Sequence, residues 1–419
     1  MTRIEPKIRT AIERLTAYLE TTGWRGYDPY DALNSPILRK LDFGSRWLRL
    51  AYTQTLKRLP LNIRPLLKIQ KVYNPKGLGL FLSAWIKMKR HGLDHATDET
   101  IWTLITLLEQ SRSRKYSGHA WGYPFDWQSE KELTPKYTPT IVNTAYVGHA
   151  HLDAWDLYRD KKLLDIARSA CEFILKDLNV LRDDGGGICF SYTPLDRLKI
   201  YNASLLGAGM LARVSRYTGD AALGDIAGRA VRYVMERQLR EGGWYYGASR
   251  SGEGIWTRGI NGKDTVRDDQ PSGHVDYMDG YHTGFVLESL WEYTRHTGDR
   301  TWIPAIRKGL QFYAGSFFLE DGTPKYYHNR LRPVDIHSIQ ALVTFSKMHE
   351  LLDLSGQMEI IAGWFLRYLQ DQDRGYFYYR KGRFLTNKIP YIRWSQAWAL
   401  HALTTYYDFL HKSRGMDEN

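Results

Sequence analysis

The sequence predicts an all-α protein, an (α/α)6 toroid with short β-hairpins at one end, on three observations. From Asn74 onward a unit recurs: Pro75, Pro139, Pro194, Pro271, Pro333 and Pro390 each precede, within a few residues, an apolar run rich in Ala, Gly and Ser. Proline suits the approach to a helix, where its missing N–H is not needed. These runs are apolar around most of their circumference, whereas the segments between them are apolar on one face, which separates inner from outer helices. A short Gly-aromatic segment follows each outer helix. The N-terminal helix supplies the remaining outer partner. The expected organisation is one domain over 1–419, with 1–73 as outer helix and covering segment and 75–412 as the repeat body.

The first helix is expected from about Pro6 to Thr21, because Ile8, Ile12, Leu15 and Leu19 recur at helical spacing, and Gly23 ends it. Gly23 to Pro36 is rich in turn residues, and capping chemistry accounts for its acids, Asp28 and Asp31. The basic, apolar stretch from Arg46 to Lys71 reads as a helix packed over the body. Its Arg46, Arg49, Lys57, Arg58 and Arg64 form no clean charged face.

The inner runs can be laid over one another. Asn143-Thr-Ala-Tyr-Val-Gly-His, Asn202-Ala-Ser-Leu-Leu-Gly-Ala, His282-Thr-Gly-Phe-Val-Leu-Glu, His337-Ser-Ile-Gln-Ala-Leu-Val and Trp394-Ser-Gln-Ala-Trp-Ala-Leu each begin with a large polar or aromatic residue followed by a small one. Between them lie amphipathic helices such as Lys161 to Leu175, where Leu163, Ile166, Ala167, Ala170 and Ile174 share a face. The Gly-aromatic segments, Trp121 to Asp126, Gly185 to Tyr192, Gly242 to Gly247, Gly322 to His328 and Gly375 to Arg380, read as hairpins or turns. One connection is longer. Ala248 to His274 inserts a glycine-containing loop with Arg250, Arg258, Lys263, Arg267 and Trp256, the content of a lid or binding loop.

That loop leads into the run from Asp276 to Tyr293, which crowds Asp276, Asp279, Tyr281 and His282 at the start of an inner helix. Unpaired N–H groups and a partial positive charge at a helix N-terminus suit an anionic ligand there.

Composition narrows the partners. The chain has 29 Tyr and 14 Trp, side chains that stack on sugar faces while offering O–H and N–H groups. The net charge of +12 points to a polyanion. Basic residues occur throughout, no Lys/Arg run resembles a nucleic-acid arm, and a solvated surface accounts for most of them. Two cysteines, Cys171 and Cys189, exclude a disulfide framework and a Cys-rich zinc site. The N-terminus lacks an apolar signal core, and no segment has the ~18 apolar residues of a membrane span, so the expectation is a cytoplasmic protein with no membrane span and no nucleic-acid partner.

From about residue 75 to 410 the chain resembles the (α/α)6-toroid carbohydrate-active proteins, the superfamily of six-hairpin glycosidases, sugar 2-epimerases, uronate lyases and the catalytic domain of glucuronyl C5-epimerases. Asp335-Ile-His-Ser-Ile-Gln340 is similar to the start of a late inner helix in the glucuronyl epimerases. Ile389-Pro-Tyr-Ile-Arg-Trp-Ser-Gln-Ala-Trp398 resembles a C-terminal segment of toroid proteins from polysaccharide-biosynthesis clusters. Zinc-dependent toroid families need a Cys and His set that is missing here, and Asp268-Asp-Gln and Asp183-Asp-Gly do not reproduce the acid motif of terpene cyclases.

The resemblance implies a carbohydrate-active enzyme of polysaccharide metabolism or biosynthesis, acting on an oligo- or polysaccharide, with no cofactor or metal called for. C5 proton abstraction from a uronic acid, by an epimerase or lyase, needs a base, an acid and groups that neutralise the carboxylate. His282, His337, Tyr281 and Tyr201 are the proton-transfer candidates, Asn143 and Asn202 the donors, and Arg393 and Arg332 the countercharges. Trp394 and Trp256 offer stacking surfaces. Glycoside hydrolysis instead needs two carboxyl groups, and Asp126, Asp276, Asp279 and Asp335 fall at expected mouth positions. A non-catalytic glycan-binding protein is the third reading; it would have its His and Asp side chains tied up internally and no open cleft. Asp276, Asp279 and Asp335 can also serve as helix caps, and His149, His151, His401 and Glu288 fall deeper in the inner helices, where core pairing is expected.

Overall fold

The computed structural model describes residues 4–129, 132–183, 185–248, 255–258, 265–267 and 277–417. Its helices in chain order are α1 (Glu5–Thr22), α2 (Pro36–Lys40), α3 (Arg46–Arg58), α4 (Pro75–Arg90), α5 (Asp98–Gln110), α6 (Ile141–Tyr158) and α7 (Lys161–Lys176). There follow α8 (Tyr201–Thr218), α9 (Ala221–Met235), α10 (Gly280–Thr297), α11 (Ile303–Ser316), α12 (Ala341–Lys347), α13 (Ser355–Tyr368) and α14 (Trp398–Asp417). Six of them, α4, α6, α8, α10, α12 and α14, form a closed inner ring, each packed on the next and α14 on α4. The outer layer is α5, α7, α9, α11, α13 and α1, the last of which packs on α14. The expected (α/α)6 toroid is therefore the fold observed.

Small residues set the inner contacts. A Cβ on Gly79 would sit 3.3 Å from Val147 of α6, and one on Gly284 would overlap the Gln340 amide at 1.8 Å. Outer helices bury a single stripe, as in α7, where Leu163, Ala167, Ala170, Phe173 and Ile174 are buried. Side-chain oxygens of Asn74, Thr140 and Asp279 cap α4, α6 and α10 by accepting from the N3 backbone N–H. The last two inner helices start differently. A 3₁₀ turn, Ile336–Gln340, leads into α12, and a π-helical turn, Ile392–Ala397, leads into α14.

The strands are β1 (Trp127–Gln128), β2 (Leu133–Thr134), β3 (Asn179–Arg182), β4 (Ile188–Phe190), β5 (Ile255–Arg258), β6 (Thr265–Arg267), β7 (Val334–Asp335), β8 (Arg380–Lys381) and β9 (Thr386–Asn387). They form antiparallel sheets in the orders β1-β2, β4-β3-β5-β6 and β7-β8-β9. Of the Gly-aromatic segments 185–192 contains β4 and 375–380 runs into β8; those at 121–126, 242–247 and 322–328 are pinned mainly by single bridges, such as Gly122 to Pro139 and Ile200 to Gly247. The backbone of the long insertion adds β5 and β6 beside β3. Its residues 249–254, 259–264 and 268–276 lie outside the described residues, and so do the side chains of Trp256, Arg258 and Arg267.

The stretch from Gly23 to Pro36 departs from expectation. Asp28 and Asp31 do more than close turns: both are buried, Asp31 accepting from Arg64 Nε at 2.7 Å and Asp28 from Arg393. A short-range reading of turn chemistry has no access to partners 33 and 365 residues away.

Candidate active site

The inner helices share one polarity, so their first turns meet at one end of the barrel. Asn143 and Asn202 lie in the first turns of α6 and α8, His282 in that of α10, His337 in the 3₁₀ turn before α12, and Trp394 in the π turn before α14. Tyr281 stands in the middle of the group. Its ring centroid is 4.5 Å from that of His282, 5.0 Å from that of His337 and 6.0 Å from that of Trp394.

Both imidazoles are tethered through Nδ1. His282 Nδ1 lies 2.7 Å from Asp279 Oδ2, and the Asp279 carboxylate also accepts from the His282 backbone N–H at 2.8 Å. His337 Nδ1 lies 3.2 Å from the Trp394 carbonyl. Carbonyl and carboxylate oxygens only accept, so each Nδ1 carries the proton and each Nε2 is the working nitrogen. Neither Nε2 has a hydrogen-bond partner among the described residues. Burial, with the nearby charges of Lys76 and Arg393, pushes the His337 imidazole well below its ordinary range and favours its neutral form. Burial and the Asp279 carboxylate push the Tyr281 phenol well above its own, so its hydroxyl is available as a donor.

Asp28, Asp126, Asp279 and Asp335 are all engaged. Asp28 takes a bidentate fork from Arg393 at 2.6 and 2.8 Å, and Asp335 accepts from Arg380 Nε at 2.6 Å, Trp394 Nε1 at 2.8 Å and the His337 backbone N–H at 3.0 Å. Asp279 and Asp335 are thus helix caps as well as side-chain acceptors. Asp126 lies further out, accepting from the Lys136 backbone N–H at 2.8 Å with Arg39 4.0 Å away. Asp276 lies outside the described residues.

Several placements correct the sequence expectation. Arg393 spends its guanidinium on Asp28 and is therefore not an uncommitted countercharge, while Arg332 donates one N–H to the Gly382 carbonyl at 3.0 Å. Tyr201 turns its ring to Tyr233 of the outer helix α9, at 6.2 Å, because its position on α8 faces the outer layer. Trp394 is 7% exposed and its indole N–H is already donated, which leaves it a supporting wall. Asn143, by contrast, is fully buried with neither amide atom partnered, and the Asn202 amide oxygen is likewise unpartnered.

A buried amino group at the same mouth is not singled out by the sequence. Lys76, in the first turn of α4, is 4% exposed and has no hydrogen bond or ion pair among the described residues. Its ammonium stands 4.5 Å from the ring centre of Tyr146 and 5.2 Å from those of Phe285 and Trp398. Burial holds its pKa well below the ordinary lysine value. A lone charge in the first turn of an inner run, Pro75-Lys-Gly-Leu-Gly-Leu-Phe81, is the signal that could have found it. Lys57 of α3 reaches the same mouth from outside the ring; it donates to the Tyr30 hydroxyl and lies over the Tyr30 ring at 4.3 Å. Beside His282 lies a small cleft lined by Asn202, Trp244, Tyr246, Tyr277 and Asp279. Tyr246 stacks on Tyr277 at 5.0 Å and leans on His282 at 4.5 Å.

Among the described residues no group of His, Cys, Asp and Glu is arranged to hold a metal ion, and no helix is long and apolar enough to cross a membrane. Cys171 and Cys189 are buried and unpaired with each other.

No family model and no curated protein matches the chain in sequence. Its fold is similar to that of cellobiose 2-epimerase from Bacillus thermoamylovorans B4167, with a TM-score of 0.60 at 12% identity over 82% of this chain and 90% of that one. The unsaturated glucuronyl hydrolase responsible for glycosaminoglycan degradation in Bacillus sp. GL1 matches with a TM-score of 0.59 at 14% identity, over 97% and 95%. A GH76 alpha-mannanase from Bacteroides thetaiotaomicron matches with a TM-score of 0.56 at 13% identity, over 83% and 88%. These likenesses place the chain among six-hairpin toroid folds.

Proposed function

We propose that the protein is a carbohydrate-active enzyme that moves a proton at C5 of a uronic-acid residue in an anionic glycan, as an epimerase or a lyase. The observation that carries this reading is the pair of imidazoles over Tyr281, each anchored at Nδ1 with Nε2 unengaged, in a mouth whose described carboxylates are all committed to other partners. A retaining or inverting glycosidase needs one carboxyl group held as an acid beside a second carboxylate, whereas Asp28, Asp279 and Asp335 are bonded to Arg393, His282 and Arg380. A pure binding protein has no need of two tethered imidazoles with open nitrogens.

In this reading neutral His337 accepts the C5 proton through Nε2. The C–H electron pair passes into the carboxylate to give an enediolate, whose charge faces the Lys76 amino group and the Tyr281 hydroxyl. Protonated His282 then returns a proton to C5 from the opposite face, which inverts the centre and leaves the two imidazoles with exchanged protonation. Departure of a 4-linked group from the enediolate, with a proton from His282, gives an unsaturated sugar instead. Asp279 fixes the His282 tautomer in either course. The toroid fold is compatible with this chemistry, since an epimerase and a glucuronyl hydrolase share it.

Incubation with acidic and neutral oligosaccharides in deuterated water, read by mass spectrometry and NMR, tests the assignment. Deuterium at C5 or an unsaturated product is expected. Deuterium at C2, or a saturated cleaved product without carbon-bound deuterium, overturns it.

A further inference from the structure

The excess of positive over negative charge in this chain falls in two stretches. Between Ile37 and Lys71 there are nine Lys or Arg and one acidic residue, and between Arg380 and Lys388 four and none, so these two stretches account for the whole +12 and the remainder of the chain balances. The structure joins them: the Asn387 side chain of β9 donates to the Leu59 carbonyl at the end of α3, at 3.0 Å. Four of the cations turn inward or pair locally, Lys57 to Tyr30, Arg64 to Asp31, Arg380 to Asp335 and Arg49 to Asp42. Arg39, Lys40, Arg58, Lys68, Arg383 and Lys388 are exposed.

The same two stretches carry the largest exposed apolar side chains of the described surface. Phe384 is 87% exposed, Phe43 82%, Leu66 77%, Leu385 69%, Leu61 67% and Trp47 64%. On α3 the exposed residues Trp47, Ala51, Thr55 and Arg58 recur at helical spacing, opposite the face that buries Thr53 and Leu56. Phe384 and Leu385 sit at the tip of the hairpin between β8 and β9, closed by the Gly382 N–H to Leu385 carbonyl bond at 2.8 Å. Isolated exposed apolar residues are ordinary; clustered ones rimmed by cations mark an interaction surface.

We infer that this face docks the protein on an anionic membrane surface, with Phe43, Trp47, Leu61, Leu66, Phe384 and Leu385 entering the headgroup region and the surrounding Lys and Arg facing anionic lipid. The mixture selects the occupant. Aliphatic tips gain from burial in acyl chains and interfacial Trp from the headgroup boundary, whereas a nucleic acid or a soluble acidic glycan rewards cations and ring faces but has no use for exposed leucines. A second copy meeting this face head-on would set like charges against each other. Because the inward side of α3 and of β8 supplies Lys57 and Arg380 to the mouth, docking here brings the mouth's wall to the lipid surface.

Flotation of the full-length chain with vesicles tests this. Binding is expected to phosphatidylcholine vesicles containing phosphatidylglycerol, to be absent with phosphatidylcholine alone, and to fall as salt rises. Each of Lys40→Gln, Lys68→Gln and Arg383→Gln should weaken it about fivefold, and Phe43→Ser with Trp47→Ser and Phe384→Ser by at least about tenfold. His282→Ala should float like the unaltered protein, since the inference does not depend on the reaction. Circular dichroism of the exposed-site variants checks that they fold. Equal binding to neutral vesicles, no binding to either, or full binding by the triple serine variant overturns the inference. So does binding to single-stranded DNA that matches or exceeds vesicle binding and ignores the serine substitutions, or a dimer that those substitutions dissolve.

Discussion

Both ends of the barrel pair buried charges, but they differ in the polar groups that stay unpartnered. Toward the C-terminal ends of the inner helices, Lys347 of α12 bridges Glu288 and Glu292 of α10 at 2.6 and 2.9 Å, and His296 lies 3.2 Å from Glu292. Arg213 of α8 meets Asp153 and Asp156 of α6 at 2.8 and 2.9 Å, with Ser83 on Asp153 at 2.6 Å. At the N-terminal ends, Lys76, both amide atoms of Asn143 and the Tyr146 hydroxyl are buried without partners. Leaving a buried polar group unsatisfied costs about 1–3 kcal/mol, more for a charge. A ligand that bonded to Lys76 and Asn143 would remove that cost at the N-terminal end.

The sharpest way to break this contrast is at the imidazoles. His282→Ala and His337→Ala should each lower the turnover rate on an acidic glycan by roughly 10²–10⁴-fold while binding largely survives. Steady-state kinetics with a separate equilibrium binding measurement separates the two. Loss of binding with turnover of the bound fraction intact would make the mouth a receptor surface.

At the closed end the effect should fall on stability. Lys347→Met strands Glu288 and Glu292, both buried, and should cost about 3–5 kcal/mol of unfolding free energy in urea titrations. Turnover per folded molecule should stay close to that of the parent.

Lys76→Met should do the reverse. Weakening of an acidic ligand by roughly 10–100-fold is expected from loss of a buried, charge-assisted contact, with stability unchanged or raised because an uncompensated buried cation is gone. The pH dependence carries the same sign difference. Burial lowers the Lys57 pKa from 10.5 to about 7, so between those values the unfolded chain binds more protons and stability climbs with pH. Lys57→Met should flatten that climb. The Lys347 pKa is raised by Glu288 and Glu292, so its contribution is fully present below 10.5 and is lost as the pH rises past the raised value.

The smallest effect is expected at Asp126, whose carboxylate serves a backbone N–H at the rim. Asp126→Asn should change activity by no more than about twofold. An inactive Asp126→Asn beside an active His282→Ala would return the hydrolase reading to first place.

The toroid was legible because its cause is periodic. Gly79, Gly148, Gly207 and Gly284 lie where inner helices or their side chains crowd, and one-sided stripes such as Leu163 to Ile174 recur between them. The rim positions of Asn143, Asn202, His282, His337 and Trp394 followed from the same offset. What lay beyond the sequence was pairing at long range. Nothing near Arg393 announces that Asp28 claims it, and nothing near Tyr201 says that its ring faces α9. Lys76 and the clustering of positive charge were present in the sequence, but each becomes informative only once the neighbouring surface is known.

The bidentate bond between Asp28 and Arg393, together with the packing of α1 on α14, ties the first tenth of the chain to the last. During synthesis, residue 28 has left the ribosome long before residue 393 is made. Until then the mouth lacks one wall, and Asp28 has no guanidinium to meet. Ring closure is a contact of extreme sequence separation, which carries the largest loop entropy of any in the molecule and is expected to form late in folding. Nascent chains halted before Ile392 should therefore hold the middle hairpins without a completed mouth.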